Sequence, residues 1–196
     1  MRTPSKVKTL ALFASGTGSN VRCIHAHFSP DPDVEIGILV CNRPDAAVVS
    51  FARDQNIPVR LMTREDLHDP SRLIADLQAA KVDLVILAGF LWKIPGEMVA
   101  VFPDRILNIH PALLPRYGGK GMYGKHVHEA VIAAGETESG ITIHLVNDHY
   151  DEGAILFQAR CPVHPDDTPE QLAERIHQLE HQHYPNIIEH YLSSIS

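Results

Sequence analysis

An α/β fold is predicted: a Rossmann-like, mostly parallel sheet flanked by helices, followed by an antiparallel C-terminal strand and a long terminal helix. Three observations predict it. Short apolar runs at 7–13, 34–41, 58–62, 82–88 and 105–109 alternate with helix-patterned segments, the arrangement of repeated βαβ units. The run at 82–88 is almost continuously apolar, as expected of a strand covered on both faces. Beyond residue 125 the pattern changes, and two strand-like runs follow one another across a short connection, which antiparallel pairing or a long loop-like turn accommodates.

The first run empties into a polar turn, Ser15-Gly16-Thr17-Gly18-Ser19, and residues 20–27 suit a short helix. Residues 45–55 are rich in alanine, and 70–80 carry Leu73, Ile74 and Leu77 at helical spacing, so each predicts a helix. Further helices are predicted near 95–102 and at 125–134. In 141–146, Ile141, Ile143 and Leu145 alternate with Thr142, His144 and Val146, which gives a strand two distinct faces. Residues 154–161 form another strand. Residues 169–192 supply the terminal helix, with Thr168 as N-cap and Pro169 at the first helical position. No repeat, low-complexity stretch or linker interrupts the chain, so one domain over 1–196 is expected.

Composition narrows the function. With 17 Lys and Arg against 24 Asp and Glu, the net charge is −7, which leaves no basic footprint for nucleic acid or an anionic membrane. No apolar run is long enough to span a bilayer. The charged opening, residues 1–6, lacks the apolar stretch and cleavage site of a secretory leader. Cys23, Cys41 and Cys161 are odd in number and far apart, which argues against a disulfide framework and for a reducing, cytoplasmic setting. Although histidine is abundant, His-Glu-x-x-His is absent. The tight pairs His126/His128 and His181/His183 are two residues apart, on different faces if helical, so no metal is expected.

Asn108 and His110 close the 105–109 run ahead of a Pro/Gly-rich stretch. Two apart in a strand, their side chains leave the same face. One is an amide donor at any pH, and the other titrates near neutrality. The pair suits acyl transfer. It equally suits an asparagine capping a turn and a histidine packed beneath the loop. The Gly16–Asn20 turn offers N–H groups at a helix start, a place anions favour, but it has neither Gly-x-Gly-x-x-Gly nor Gly-Lys-Ser/Thr. Asp151-Glu152-Gly153, read alone, is a solvated turn.

Three blocks carry a resemblance to a known family. They are Asn108-Ile109-His110-Pro111-Ala112-Leu113-Leu114-Pro115, then His144-Leu145-Val146-Asn147-Asp148-His149-Tyr150-Asp151-Glu152-Gly153, and the opening Ala14-Ser15-Gly16-Thr17-Gly18-Ser19-Asn20. From about residue 6 to residue 191 the chain resembles the folate-dependent formyltransferases, with the motifs in family order. The resemblance implies direct transfer of a formyl group from 10-formyltetrahydrofolate, a co-substrate, to the amine of glycinamide ribonucleotide in de novo purine biosynthesis. It implies small-molecule partners, no nucleic acid, membrane or metal, and a cytoplasmic monomer or homodimer.

On this resemblance Asn108, His110 and Asp151 are the catalytic residues. Asn108 and a protonated His110 would donate to a tetrahedral oxyanion. Asp151 would orient His110 and, as a nearby anion, raise its pKa. Thr142, on one strand face with His144, would stand beside an active-site water. Gly18, Ser19 and Asn20 would hold the ribonucleotide phosphate, since neutral donors without a lysine suit a monophosphate. His177 and Glu180 would add a second contact, with Glu180 reaching the sugar. Leu91, Trp92, Lys93 and Ile94 would wall the folate pocket together with Asn108 and the backbone of Asn147, Asp148, His149, Tyr150 and Asp151.

Trp92-Lys93 departs from the Met-Arg common at that place in the family. The arginine near the folate tail is either Arg64 or Arg72. Residues 118–124 make a longer loop than in many members and read as a mobile lid, with Lys120 or Lys125 in reach of phosphate. A formyltetrahydrofolate hydrolase would carry an N-terminal regulatory domain, and a methionyl-tRNA formyltransferase a C-terminal RNA-binding one. Neither is expected in this chain. A nonenzymatic nucleotide-binding module would leave the Asn-x-His-Pro and Asp-Glu-Gly blocks without a purpose.

Overall fold

The structure, a computed structural model, describes residues 7–195; the charged opening, 1–6, lies outside the described residues. The chain divides into two compact units, the first running to Ile106 and the second from Leu107 to Ser194. In the first unit β1 (Lys8–Ala14), β2 (Val34–Cys41), β3 (Val59–Leu61) and β4 (Leu84–Leu87) lie in the order β3-β2-β1-β4, parallel at each step. They alternate with α1 (Ser19–Phe28), α2 (Ala47–Asp54), α3 (Ser71–Ala79) and α4 (Gly96–Val101). Leu10, Leu12, Leu84 and Ile86 are wholly buried, as strands covered on both faces require.

Two local differences from the sequence pattern have polar causes. The strand predicted over 82–88 is shorter because Asp83 turns its carboxylate onto the Thr9 N–H at 2.9 Å while its own N–H meets the Thr9 carbonyl. A short 3-10 turn at Glu65–Leu67 was not announced by any apolar period. Its organiser is Asp66, which accepts from the Thr63 N–H at 2.6 Å and from Arg60 at 2.8 Å.

In the second unit β5 (Ile106–His110), β6 (Glu138–Leu145) and β7 (Ile155–Pro162) lie in the order β5-β6-β7 and pair antiparallel, with α5 (Lys125–Ala133) and α6 (Pro169–Ser194). The fold class is the expected one. Of the two connections open on sequence grounds between β6 and β7, antiparallel pairing is found. β5 extends one residue further than its apolar run, because His110 still pairs with Thr142. β6 begins at Glu138, where backbone pairing to Pro162 and a Glu138–Arg160 ion pair replace apolar alternation.

Thr168 caps α6 as expected, and Gln171 completes a reciprocal capping box: the Thr168 N–H donates to Gln171 Oε1 at 2.8 Å, and the Gln171 N–H to Thr168 Oγ1 at 3.3 Å. The helix buries Leu172, Ile176, Glu180, Tyr184, Ile188 and Leu192, a stripe spaced by four that packs on β6 and β7. Among the described residues no helix is long and apolar enough to cross a membrane.

Gly140 leaves no room for a side chain: a Cβ there would lie 1.9 Å from the Ala159 carbonyl oxygen and 2.7 Å from Leu113 Cδ2. Gly140→Ala must therefore push β7 away from β6. We expect a loss of about 3 kcal/mol, read as a lower urea midpoint; an unchanged midpoint would show that β7 yields freely.

Candidate active site

Register places the chemistry. Asn108 faces His144 and His110 faces Thr142 across β5 and β6, so the four side chains share one face as direct cross-strand neighbours. His110, Thr142 and His144 are buried, and Asn108 is half-buried. Polar groups in such surroundings must find partners or cost stability.

Thr142 does so completely. Its hydroxyl donates to the Ala112 carbonyl at 2.7 Å and accepts from the Leu114 N–H at 3.0 Å and from Gln158 Nε2 at 2.9 Å. One donor and two lone pairs are all a hydroxyl has. The expected role beside an active-site water is thus replaced by a structural one: Thr142 and Gln158 clamp the 112–114 segment that leaves β5.

The second member of the face, His110, directs its two ring nitrogens at protein oxygens. Nε2 lies 2.7 Å from the Tyr117 carbonyl, and Nδ1 lies 3.6 Å from Asp151 Oδ2. A carbonyl only accepts, so Nε2 carries the hydrogen. Asp151 stands between two imidazoles, with Oδ1 3.6 Å from His144 Nε2, and Oδ2 also accepts the Gly119 N–H at 2.9 Å. Its backbone is left-handed, with φ 56°. Asn108 Nδ2 lies 3.0 Å from His144 Nε2, and His144 Nδ1 lies 2.8 Å from the Leu145 carbonyl. Asn108, His110 and Asp151 are therefore brought together.

The expected rise in the His110 pKa is not found. Burial dominates and holds the imidazole below its ordinary value, against the upward pull of the Asp151 charge and the Tyr117 carbonyl. At 3.6 Å the carboxylate is beyond hydrogen-bond length and does not recover what desolvation costs. Burial also pushes Asp151 upward, but its polar surroundings, the Gly119 N–H on Oδ2 among them, hold it below the ordinary carboxylate value.

The 118–124 loop is tied at its root. The Tyr117 hydroxyl donates to Glu136 Oε1 at 2.7 Å, and Arg116 pairs with the same carboxylate. Gly118 packs so closely that a Cβ there would meet Leu114 Cδ2 at 2.5 Å. Lys125 pairs with Glu170 at 3.0 Å and Glu129 at 3.6 Å, which directs it to the helices rather than to phosphate.

The first unit holds the other predicted segments. Gly18 is left-handed at φ 75°, and a Cβ on it would meet Val48 Cγ2 at 2.4 Å. The first bond of α1 runs from the Arg22 N–H to the Gly18 carbonyl, so the N–H groups of Ser19 and Asn20 belong to the helix's positive end. At the adjacent ends of β1 and β4 the Leu91 N–H donates to Ser15 Oγ at 3.0 Å. The Gly-rich turn and the 90–94 segment thus meet where parallel strands present ligands. Leu91 and Lys93 are exposed, Trp92 half-buried and Ile94 buried. Arg64 lies over the Trp92 ring, 5.7 Å from its centroid, whereas Arg72 is exposed on α3.

In the second unit Asn147, Asp148, His149 and Tyr150 are exposed, and Asn147 Oδ1 accepts the His149 N–H at 2.9 Å. On α6, His177 is exposed and stacks on His181, while Glu180 is buried in the apolar stripe. Sequence reasoning missed the Tyr117 carbonyl and the Gly119 N–H, which no residue letter announces. It also missed Gln158, whose only signal is its place opposite Thr142 in the β6–β7 register.

With this geometry in place, comparison with known proteins is informative. Residues 8–188 match the formyl transferase family. The chain belongs to that family. A chloroplastic phosphoribosylglycinamide formyltransferase of Arabidopsis thaliana is 47% identical over 188 residues, covering 92% of this chain and 64% of its own. The phosphoribosylglycinamide formyltransferase of Haemophilus influenzae is 35% identical over 187 residues, covering 93% and 86%. The crystal structure of phosphoribosylglycinamide formyltransferase from Anaplasma phagocytophilum aligns with a TM-score of 0.84 at 34% identity, covering 92% of this chain and 84% of the other. The chain spans 64% of the length of the Arabidopsis relative and 60% of that of its Vigna unguiculata counterpart.

One buried histidine gives a test of stability. His128 on α5 has no partner for Nδ1, and its pKa is pushed down to about 4 from 6.5 by burial, helped by His177 and His110. Between those values the unfolded chain binds a proton that the folded chain refuses. Stability is therefore full above pH 6.5 and falls as pH drops toward 4. We expect His128→Leu to remove a loss on the order of 2 kcal/mol from that window, measured by urea unfolding at both ends; parallel pH profiles for the two proteins would refute it.

Proposed function

We propose that this chain transfers the formyl group of 10-formyltetrahydrofolate to the primary amine of glycinamide ribonucleotide. The observation that carries the proposal is the half-buried Asn108 amide, bonded on one side to His144 and flanked by the His110–Asp151 pair. The names of its relatives support the choice of acceptor. We read 1–196 as one formyltransferase domain, because the family match runs through both units. Three free cysteines suit a reducing, cytoplasmic setting, although the plant relatives are named chloroplastic.

The neutral amine attacks the formyl carbon, a C–N bond forms and the carbonyl oxygen becomes an oxyanion. We assign that oxyanion to Asn108, because neutral His110 spends its one ring hydrogen, on Nε2, on the Tyr117 carbonyl. One such preorganised donor is worth roughly 3 kcal/mol of barrier. Neutral His110 takes up at Nδ1 the proton that the amine loses, and Asp151 then turns the 3.6 Å approach into an ion pair. The same proton passes to the folate nitrogen as its bond to the formyl carbon breaks, which restores neutral His110. Alignment of the two substrates supplies the other large term. No metal enters any step.

Binding follows the same reading. The start of α1, with Gly18, Ser19 and Asn20, receives the ribonucleotide phosphate. His177 and Glu180 face the sugar end in this proposal. Leu91 to Ile94 and the 147–151 backbone hold the folate, with Arg64, already against Trp92, as the cation for its tail.

Purified protein is incubated with 10-formyltetrahydrofolate, with and without glycinamide ribonucleotide, while formyl loss and product mass are followed. Loss only with the ribonucleotide supports the proposal; equal release of formate in both tubes would make the chain a hydrolase. Asn108→Ala should lower kcat on the order of a hundredfold. Asp151→Asn removes an upward pull on His110, so the acid limb of kcat/KM should move to lower pH; a limb moved upward would contradict His110 as the base.

A further inference from the structure

An amide side chain has two ends of nearly the same shape, one a donor and the other an acceptor. For Asn108 to stabilise an oxyanion it must offer N–H, since the same side chain turned over would set oxygen against oxygen. The backbone does not decide between the two orientations. We propose that His144 is a positioning residue that fixes which way the Asn108 amide faces. The inference rests on the formyl-transfer reading for its consequence, but not for its geometry.

The chain of bonds starts at a group that cannot donate. The Leu145 carbonyl lies 2.8 Å from His144 Nδ1, so Nδ1 must carry a hydrogen. In the neutral ring Nε2 is then a bare acceptor. The atom 3.0 Å away must donate, and it is Asn108 Nδ2. One of its two hydrogens is spent on His144, and the other is held in a fixed direction. Nδ2 is held in this orientation because the imidazole that accepts from it is buried at 2% exposure. The β5–β6 register, which sets Asn108 directly against His144, keeps the contact in place.

Asp151 works against this arrangement. Its Oδ1 lies 3.6 Å from the same Nε2, and a carboxylate favours a hydrogen there. With a hydrogen on Nε2, Asn108 would present its oxygen to the ring and swap donor for acceptor. The Leu145 carbonyl prevents this, since moving the hydrogen to Nε2 leaves a lone pair on Nδ1 facing a carbonyl oxygen. His144 thus holds the tautomer that Asn108 needs, in spite of the carboxylate beside it. His110, across the face, has its own nitrogens on Tyr117 and Asp151 and makes no claim on the Asn108 amide.

Two kinds of measurement test the proposal. In uniformly nitrogen-15-labelled wild-type protein the His144 ring should show the neutral Nδ1–H tautomer, and a cross-hydrogen-bond coupling should join Asn108 Nδ2 to His144 Nε2. The Nε2–H tautomer would overturn the proposal without any variant being made. In the second, His144→Phe fills the ring's volume with no acceptor, whereas His144→Gln can place an oxygen near the old Nε2. We expect His144→Phe to lower kcat on the order of ten- to a hundredfold with both KM values little changed, and His144→Gln to regain most of it. Equal losses in the two variants, or a change confined to KM, would overturn it. If wild type transfers no formyl group while the tautomer is as stated, the functional reading fails and the positioning does not.

Discussion

Antiparallel pairing of β5 with β6 sets Asn108 against His144 and His110 against Thr142, and a slip of one residue would carry each partner to the opposite face. Much of the site depends on that register. It brings a half-buried amide side by side with a hydroxyl and two imidazoles that are closed off from water. Each then settles with whatever the next segment offers: the 112–114 chain for Thr142, the Tyr117 carbonyl for His110, the Leu145 carbonyl for His144. The loop that leaves β5 is thus shaped by the strand's own polar residues as much as by its prolines and glycines.

Charge in the site is balanced by burial as well as by pairing. Asp151 stands 3.6 Å from each of two imidazoles, yet desolvation keeps His110 below its ordinary pKa. A neutral imidazole beside an ionised carboxylate is ready to receive a proton, because the charge that would stabilise it is already in place. The Gly119 N–H on Oδ2 holds that carboxylate without neutralising it. Such an arrangement suits a proton that must be lent to the protein for one step and returned in the next.

The strands were legible because their apolar runs are strong and bounded by turn residues. Val34–Cys41 falls where the run does, and α6 begins at its Thr-Pro signal. Less legible were features built from single carboxylates, such as the Asp66 turn and the Asp83 contact on Thr9, since one aspartate has no period. In the site, Asn108, His110 and Asp151 were found through motif resemblance, and the structure brings them together. The direction of the His110 pKa was misjudged because sequence shows a neighbouring charge but not how much water has gone. Thr142 was likewise misjudged: its three partners lie at Ala112, Leu114 and Gln158, too scattered along the chain for spacing to connect them.

The bond from His110 to Tyr117 ends on a peptide carbonyl. No exchange of side chain can delete that acceptor, so alanine scanning of the loop would pass over a group that sets the hydrogen on the His110 imidazole. What substitution can reach is its aim. The Tyr117 ring is fastened to Glu136 through its hydroxyl, about twenty residues along the chain, at the turn leading into β6. A change at Glu136, outside the three blocks that carry the family resemblance, therefore acts on His110 through the tilt of one peptide plane.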